Sequence, residues 1–287
     1  MRLLACLLAL WLLPVRADAR TTATSFTWYV ATNGSDTGRT GQGGCGSGTE
    51  FATPYGAIRY IAANIDLAGN QPTIQLCNGY YSIDSTQNFF GSPVGSWLYI
   101  LQGDCSNVPA TEVNVVLRYT GAPGGTLIQS RDLGIGVLQC LTVDTINPGT
   151  DTAFYAAQFS VLDVNSVRVG AFRYVFMADA LGAYNIAQYG AVGASNPGIT
   201  LGGQIGELVF TNSFSKFSVG TFIDMNGVSP SLQFMELHGG YANFTGGFLN
   251  VPGGGRGGLC DSYAVLVMNG LTPPGGLPAG SASCSIR

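Results

Sequence analysis

A short run of alternating apolar and polar residues recurs in the second half of the sequence at a nearly constant step. The runs are VLQCLTVD (137–144), VLDVNSVRV (161–169), AYNIAQYGAV (183–192), GELVFTN (206–212) and SLQFMELHG (231–239). Alternation with a period of two predicts strands whose alternate side chains face a core. In the first two runs Val137 aligns with Val161. Corresponding residues of successive runs are 22 to 26 residues apart, and a repeat of this length is typical of a solenoid. A β-sandwich with strands every 8–12 residues is the alternative, and the steady step favours the solenoid.

One polar residue stands at a similar place in each run, which predicts a polar row on the outside of the sheet. The row consists of Gln139, Asp163, Asn185, Glu207 and Gln233. Neighbouring parallel strands lie about 4.8 Å apart, so Asp163 and Glu207 would be roughly 9.5 Å apart with Asn185 between them. That distance is near the upper limit for the two carboxyl groups of an inverting glycosidase. A purely structural ladder of hydrogen-bonded side chains is the alternative interpretation of the same row.

The charge of the chain restricts its partners. The sequence has 12 basic and 16 acidic residues and one histidine, which gives a net charge of −4. We expect no nucleic-acid partner, because few cations are available to neutralise phosphates. An acidic polymer would meet net repulsion unless the few arginines cluster. The cysteine and histidine spacings predict no zinc site and no motif indicates a cofactor, while a calcium site built from aspartate and backbone oxygens stays open.

Residues 1–19 predict a secretory signal peptide. Arg2 is followed by an apolar run from Leu3 to Val15, and Ala17-Asp18-Ala19 fits a small-x-small cleavage site. The run is too short for a bilayer span, so we expect no membrane insertion after the signal is removed. The predicted location is therefore secreted or periplasmic.

Six cysteines follow the leader, and an even set in an exported protein predicts disulfides. They are Cys45, Cys77, Cys105, Cys140, Cys260 and Cys284. We predict that Cys260 pairs with Cys284, because both lie in the glycine- and proline-rich tail. The other four either pair or lie in the core as small apolar residues.

The region before the repeats predicts a single helix over residues 54–66. Thr53 is a favourable N-cap, and Pro54 suits the first helical position. The apolar residues that follow recur at helical spacing. After this helix the sequence returns to short runs bounded by Gly, Asn, Asp or Pro, which is typical of strands joined by tight turns.

The N-terminal block resembles a known family. WYVATNGSD, followed by GTEFATPYGAIRYIAAN and PTIQLCNGYYSI, is similar to the opening of bacterial right-handed parallel β-helix proteins of the pectin-lyase-like type. The resemblance implies an all-β, single-stranded right-handed parallel β-helix with a short N-terminal capping helix. Residues 20–70 would then form the first strand, a loop and the cap. Residues 71–250 would form the coils, and residues 251–287 a Gly/Pro-rich tail.

Two classes of function fit these observations. One is an exported carbohydrate-binding or surface-structural protein, whose partner is a polysaccharide or surface glycan. The other is a secreted polysaccharide lyase or glycoside hydrolase, in which Asp163 and Glu207 would be the catalytic pair. The residues predicted to bind the sugar are Gln139, Asn185, Gln233 and Tyr184. Low charge and the lack of a catalytic motif favour the first class, and the sequence leaves homo-oligomerisation open.

Overall fold

A computed structural model describes most of the chain up to residue 178 and the strand segments beyond it. The described residues are 20–107, 111, 114–147, 150–170, 172–178, 183–186, 199–200, 207–217, 222–224, 235–244, 248–250, 259–261, 265–267, 279–280 and 285–286. Within these ranges the protein consists mainly of parallel β-strands and has one helix, α1 (Pro54–Asn64). The predicted signal peptide and most of the predicted tail lie outside the described residues.

The strands are short, and most have two to six residues. The described strands up to residue 169 are, in chain order, β1 (Thr21–Thr22), β2 (Thr27–Val30), β3 (Ile65–Asp66), β4 (Thr73–Leu76), β5 (Gly79–Ile83), β6 (Gln87–Phe90), β7 (Tyr99–Gln102), β8 (Val115–Tyr119), β9 (Thr126–Arg131), β10 (Ile135–Thr145), β11 (Thr152–Ala156) and β12 (Val161–Val169). Those that follow are β13 (Tyr174–Ala178), β14 (Ala183–Ile186), β15 (Ile199–Thr200), β16 (Glu207–Phe217), β17 (Phe222–Asp224), β18 (Met235–Phe244), β19 (Phe248–Asn250), β20 (Leu259–Asp261), β21 (Val265–Val267), β22 (Ala279–Gly280) and β23 (Ser285–Ile286).

Most of these strands pair in parallel within three stacks. The first stack holds β2, β4, β7, the first halves of β10 and β12, β14, the second halves of β16 and β18, β21 and β23. The second holds β5, β8 and the second halves of β10 and β12. The third holds β6, β9, β11, β13, the first halves of β16 and β18, β20 and β22. From β4 to β14 the chain visits the first, second and third stacks in turn and then returns to the first.

The register between successive strands of the first stack differs from the predicted one. Ile135 of β10 pairs with Val161 of β12, and Val137 pairs with Asp163, so the step is 26 residues rather than 24. The predicted alignment of Val137 with Val161 is therefore wrong by two residues. A shift of two residues leaves every side chain on its own face of the sheet, so the alternating pattern cannot distinguish the two registers.

Alternating side chains of the three stacks enclose an apolar core. In β7, Tyr99 and Leu101 are buried while Gln102 on the opposite face is half-buried. The alternation breaks within β10, where Cys140 and Leu141 are both buried and Cys140 has a φ of 59°. This left-handed residue turns β10 from the first stack into the second, and the pairing with β12 skips it.

Helix α1 begins where the sequence predicts and ends two residues earlier. The Thr53 hydroxyl accepts the backbone N–H of Gly56 at 3.0 Å, which confirms the predicted N-cap. The helix ends at Asn64 because Ile65 is extended and enters β3, which pairs with β1. The apolar face of α1 packs against β2 and β6, the first strands of the first and third stacks.

Four of the cysteines form two disulfides, and this decides between the two alternatives left open for them. Cys45 is bonded to Cys77, and Cys105 is bonded to Cys140. Each bridge joins a loop to the end of a strand segment in the first stack. The predicted partner of Cys260, Cys284, lies outside the described residues, so that pairing stays a prediction.

Candidate functional site

A row of polar side chains crosses the first stack on the face directed away from the core. Tyr29, Gln75, Gln102 and Gln139 are aligned in register on β2, β4, β7 and β10, and we refer to these four residues as the glutamine ladder. All four are half-buried. Three steps between parallel strands make the ladder about 14 Å long. Asn165 continues the register on β12 and is buried.

Hydrogen bonds hold the amides of the ladder in place. The side-chain N–H of Gln139 donates to the side-chain oxygen of Gln102 at 2.7 Å. The amide nitrogen of Gln75 donates to the backbone carbonyls of Gly103 at 2.9 Å and Leu76 at 3.0 Å. A primary amide has two N–H donors and a carbonyl with two lone pairs, so these bonds orient the amides and leave hydrogen-bonding capacity for a ligand.

An open groove of about 700 Å³ lies along the ladder, and Tyr29, Gln75 and Gln102 line it. The loops that border the groove are fixed to the strands by both disulfides. Cys45, in the loop before α1, is bonded to Cys77 at the end of β4. Cys105, in the loop after β7, is bonded to Cys140 at the bend of β10. Because each bridge ties a border loop to the sheet beneath it, the shape of the groove is covalently maintained.

Asp104, at one border of the groove, is held by a dense set of donors. The Ser106 hydroxyl donates to its carboxylate at 2.6 Å, the Asn114 amide at 2.8 Å and the Asn78 amide at 3.4 Å. The backbone N–H of Ser106 donates at 3.0 Å. Hydrogen bonds from Ser106 and Asn114 are the main causes that lower the pKa of Asp104 to about 2, against a smaller opposing effect of burial. Asp104 is therefore an ionised hydrogen-bond acceptor at neutral pH.

The low pKa of Asp104 predicts a pH-dependent contribution to stability. Since the folded-state pKa lies below the unfolded value, the contribution is complete above about pH 4 and is lost as the pH falls towards 2. We expect wild-type protein to be more stable than Asp104→Asn at pH 6, and the difference to narrow below pH 4. Chemical denaturation at several pH values measures it, with the exposed Asp132→Asn as the control. A difference that stays constant down to pH 2.5 would contradict the assignment.

The structure brings together only part of the predicted polar row. Asp163 and Asn185 are in register on β12 and β14. Gln139, however, pairs with Asn165 rather than with Asp163, because the true step is two residues longer. Asn185 has Lys216 as its other neighbour in the first stack, where the sequence predicted Glu207.

Glu207 lies in a different stack from Asp163. It begins β16 and pairs with Tyr174 of β13 in the third stack, because β16 runs from the third stack into the first. Asp163 and Glu207 therefore do not share one polar row, although the sequence predicted that they would, and a catalytic role for either residue stays a prediction. Tyr184 pairs with Leu162 and Ser215 in the first stack. Gln233 lies outside the described residues.

Sequence reasoning missed most of the groove. The short runs after the helix were predicted to be strands, but the glutamines of β4 and β7 were not aligned with Gln139. The offsets are the reason: 27 residues separate Gln75 from Gln102, and 37 separate Gln102 from Gln139. The long loop after β7, which carries Asp104, breaks the regular step. The usable signal was a glutamine on the outward face of three strand-like runs, whatever their spacing.

The groove presents amides, a hydroxyl and a phenol, with Asp104 as the one carboxylate among its described lining residues. Within the described ranges, no group of three or more His, Cys, Asp or Glu side chains is arranged to hold a metal ion. No helix in those ranges is long and apolar enough to cross a membrane. Comparison of the chain with protein families, curated proteins and solved structures finds no match. The function is therefore inferred from the chemistry of the groove itself.

Proposed function

We propose that this protein is an exported carbohydrate-binding protein built as a right-handed parallel β-helix, with the groove along the glutamine ladder as its binding site. The repeated passage of the chain through three parallel stacks supports the fold, since the coils of a β-helix are formed in this way. Connections between parallel strands of one sheet are right-handed in nearly all proteins, which supports the hand. Helix α1, packed on β2 and β6, suits the role of the cap.

The disulfides support export. Disulfides persist in oxidising compartments and are rare in the cytosol. The two bridges among the described residues fix loops at the border of the groove, so an ordered groove depends on an oxidising location. The proposal accordingly includes the signal peptide over residues 1–19 and a secreted or periplasmic location.

The observation that carries the binding proposal is the row of amides along an open groove. A sugar hydroxyl both donates and accepts hydrogen bonds, and an amide offers both functions in a fixed geometry. Tyr29 adds an aromatic ring, and Asp104 adds an ionised acceptor. Because the amides repeat at the spacing of the strands, the groove suits a ligand that also repeats, such as a polysaccharide or a surface glycan.

A polysaccharide lyase or glycoside hydrolase is the alternative function. Glycoside hydrolysis ordinarily requires two carboxyl groups, one of which is protonated near neutral pH. Asp104 is the one carboxylate among the described groove residues, and its low pKa is unsuitable for a general acid. The groove therefore supports binding without turnover better than catalysis.

We expect Gln102→Leu to weaken glycan binding about tenfold, because it removes the central amide of the ladder while keeping a side chain of similar size. A glycan array first identifies the ligand of the wild-type protein, and isothermal titration calorimetry then compares the variants. Gln71→Leu, the same change at an exposed glutamine outside the groove, is the matched control and should leave affinity unchanged.

The same ligands also separate binding from catalysis. Each array ligand is incubated with the wild-type protein and assayed for new reducing ends. Binding without new reducing ends supports the proposal, and turnover would replace it with the enzymatic alternative. Equal affinity of the wild-type protein and Gln102→Leu for every ligand would exclude the groove as the site.

A further inference from the structure

A second cavity, separate from the groove, lies between helix α1 and the loop that precedes it. Its volume is about 530 Å³. The loop contributes Asp36 and Arg39, and the helix contributes Tyr55, Arg59 and Tyr60. None of these residues lines the groove along the glutamine ladder. The volume is within the usual range for small-molecule sites and far exceeds that of a single inorganic anion.

Two arginines give this cavity a positive character. The sequence has only 12 basic residues, and Arg39 and Arg59 both line this one cavity. One N–H of Arg39 donates to the backbone carbonyl of Gly48. A guanidinium has five N–H donors in a planar fork, so this bond orients Arg39 and leaves donors for a bidentate partner.

The carboxylate of Asp36 is already engaged by the protein. It accepts the backbone N–H groups of Ala52 at 2.8 Å and Thr53 at 2.9 Å, and the Thr53 hydroxyl at 2.5 Å. The first turn of α1, whose partial charge is positive, follows immediately. These donors occupy the oxygens of Asp36, and two arginines stand against this one carboxylate among the charged residues that line the cavity, so the charge that the cavity offers to a ligand is net positive.

Aromatic side chains provide the remaining wall. The guanidinium of Arg59 lies over the ring of Tyr55, 5.7 Å from its centroid. The ring of Tyr60 packs against Phe51 with 5.4 Å between centroids, which fixes its position. Aromatic rings beside charged donors suit a ligand that has both an apolar face and an acidic group.

We propose that this cavity binds an anionic sugar unit, a uronic acid or a sulfated sugar, with Arg39 and Arg59 on its acidic group and Tyr55 and Tyr60 against its ring. The inference rests on the proposed function in taking the ligand to be a glycan. The net charge of −4 disfavours a densely charged polymer, whereas a sparse or terminal acidic unit meets only the local positive charge. The protein would thus select glycans that carry occasional acidic units.

Three tetrasaccharide probes test the proposal: a glucose oligomer whose terminal unit is a glucuronate, the same oligomer with that carboxylate methyl-esterified, and a glucose oligomer with one sulfate at position 6 of its terminal unit. We expect the wild-type protein to bind at least one charged probe about tenfold more tightly than the ester at low salt. Arg39→Gln and Arg59→Gln should each remove most of that preference, and added salt should weaken it. A preference for the carboxylate assigns a uronic acid to the site, and a preference for the sulfated probe assigns a sulfate.

Two controls separate the cavity from general electrostatics and from the groove. Arg131→Gln removes one exposed positive charge elsewhere and should leave the preference intact. Gln102→Leu should weaken the binding of neutral glycans without changing the ratio of the affinities for the charged and the esterified probes. Arg59→Lys keeps the positive charge but lacks the planar guanidinium. We expect its affinity for the charged probes to lie between those of the wild-type protein and Arg59→Gln. Equal binding of the ester and both charged probes, or an equal loss in Arg131→Gln, would overturn the proposal whatever the outcome for the groove.

Discussion

Replacing Phe154 with alanine should lower the free energy of unfolding by about 4 kcal/mol, which is typical of a fully buried phenylalanine. The side chain is completely buried, and its ring stacks on that of Phe176 with 5.3 Å between centroids and 20° between planes. Phe154 also pairs in register with Ile128 on the preceding strand, so three strands of the third stack meet at this point. The substitution would leave a cavity that rigid neighbouring strands fill only in part.

Phe159→Ala provides the matched control, because it makes the same chemical change five residues later. Phe159 lies in the turn before β12 with 64% of its surface exposed. Its truncation should change stability by about 0.5 kcal/mol or less. Denaturation by guanidinium, followed by far-ultraviolet circular dichroism, measures both variants. A loss below 1 kcal/mol for Phe154→Ala would show that the third stack does not pack as described.

Local features of the fold were predictable from the sequence because they depend on neighbouring residues. The helix start followed from Thr53 and Pro54, whose side chains act within the first turn. The strands followed from a period of two, which requires only that one face of each strand be buried. The parallel pairing followed from the recurrence of such runs. The bend at Cys140 was not predictable, because a cysteine with a φ of 59° has no sequence signature.

The candidate site was harder to predict because it depends on register between distant segments. A slip of two residues preserves the alternating pattern, so the sequence aligned Gln139 with Asp163, whereas it pairs with Asn165. The error mattered because a binding row is defined by which residues are neighbours across strands. Loops of unequal length, such as the one carrying Asp104, hid the alignment of Gln75 and Gln102 with Gln139. The disulfide partners were likewise undetermined, since pairing follows from the folded positions of the cysteines.

Removing the bridge between Cys105 and Cys140 should cost about 3–4 kcal/mol in the free energy of unfolding. The two cysteines are 35 residues apart, and the constraint that a bridge imposes on the unfolded chain is about this large for a loop of that length. The double variant Cys105→Ala/Cys140→Ala avoids a free thiol at either position. Chemical denaturation under oxidising conditions measures the loss against the wild-type protein.

The bridge should also determine the order of the groove, which a stability measurement alone does not report. Asp104 precedes Cys105, and its bonds to Ser106 and Asn114 hold the loop at the border of the groove. Without the bridge, we expect glycan affinity to fall about tenfold at temperatures where the variant is still folded, since ordering the loop then opposes binding.

The matched control is the double variant Cys45→Ala/Cys77→Ala. Its cysteines are 32 residues apart, so its loss of stability should be similar. The Cys45→Ala/Cys77→Ala variant leaves the loop of Asp104 tethered, so the pKa of Asp104 should stay low. In the Cys105→Ala/Cys140→Ala variant, the pKa of Asp104 should be closer to that of a free aspartate. An unchanged Asp104 titration in both variants would show that hydrogen bonds alone position the loop, and that the bridge stabilises the fold without shaping the site.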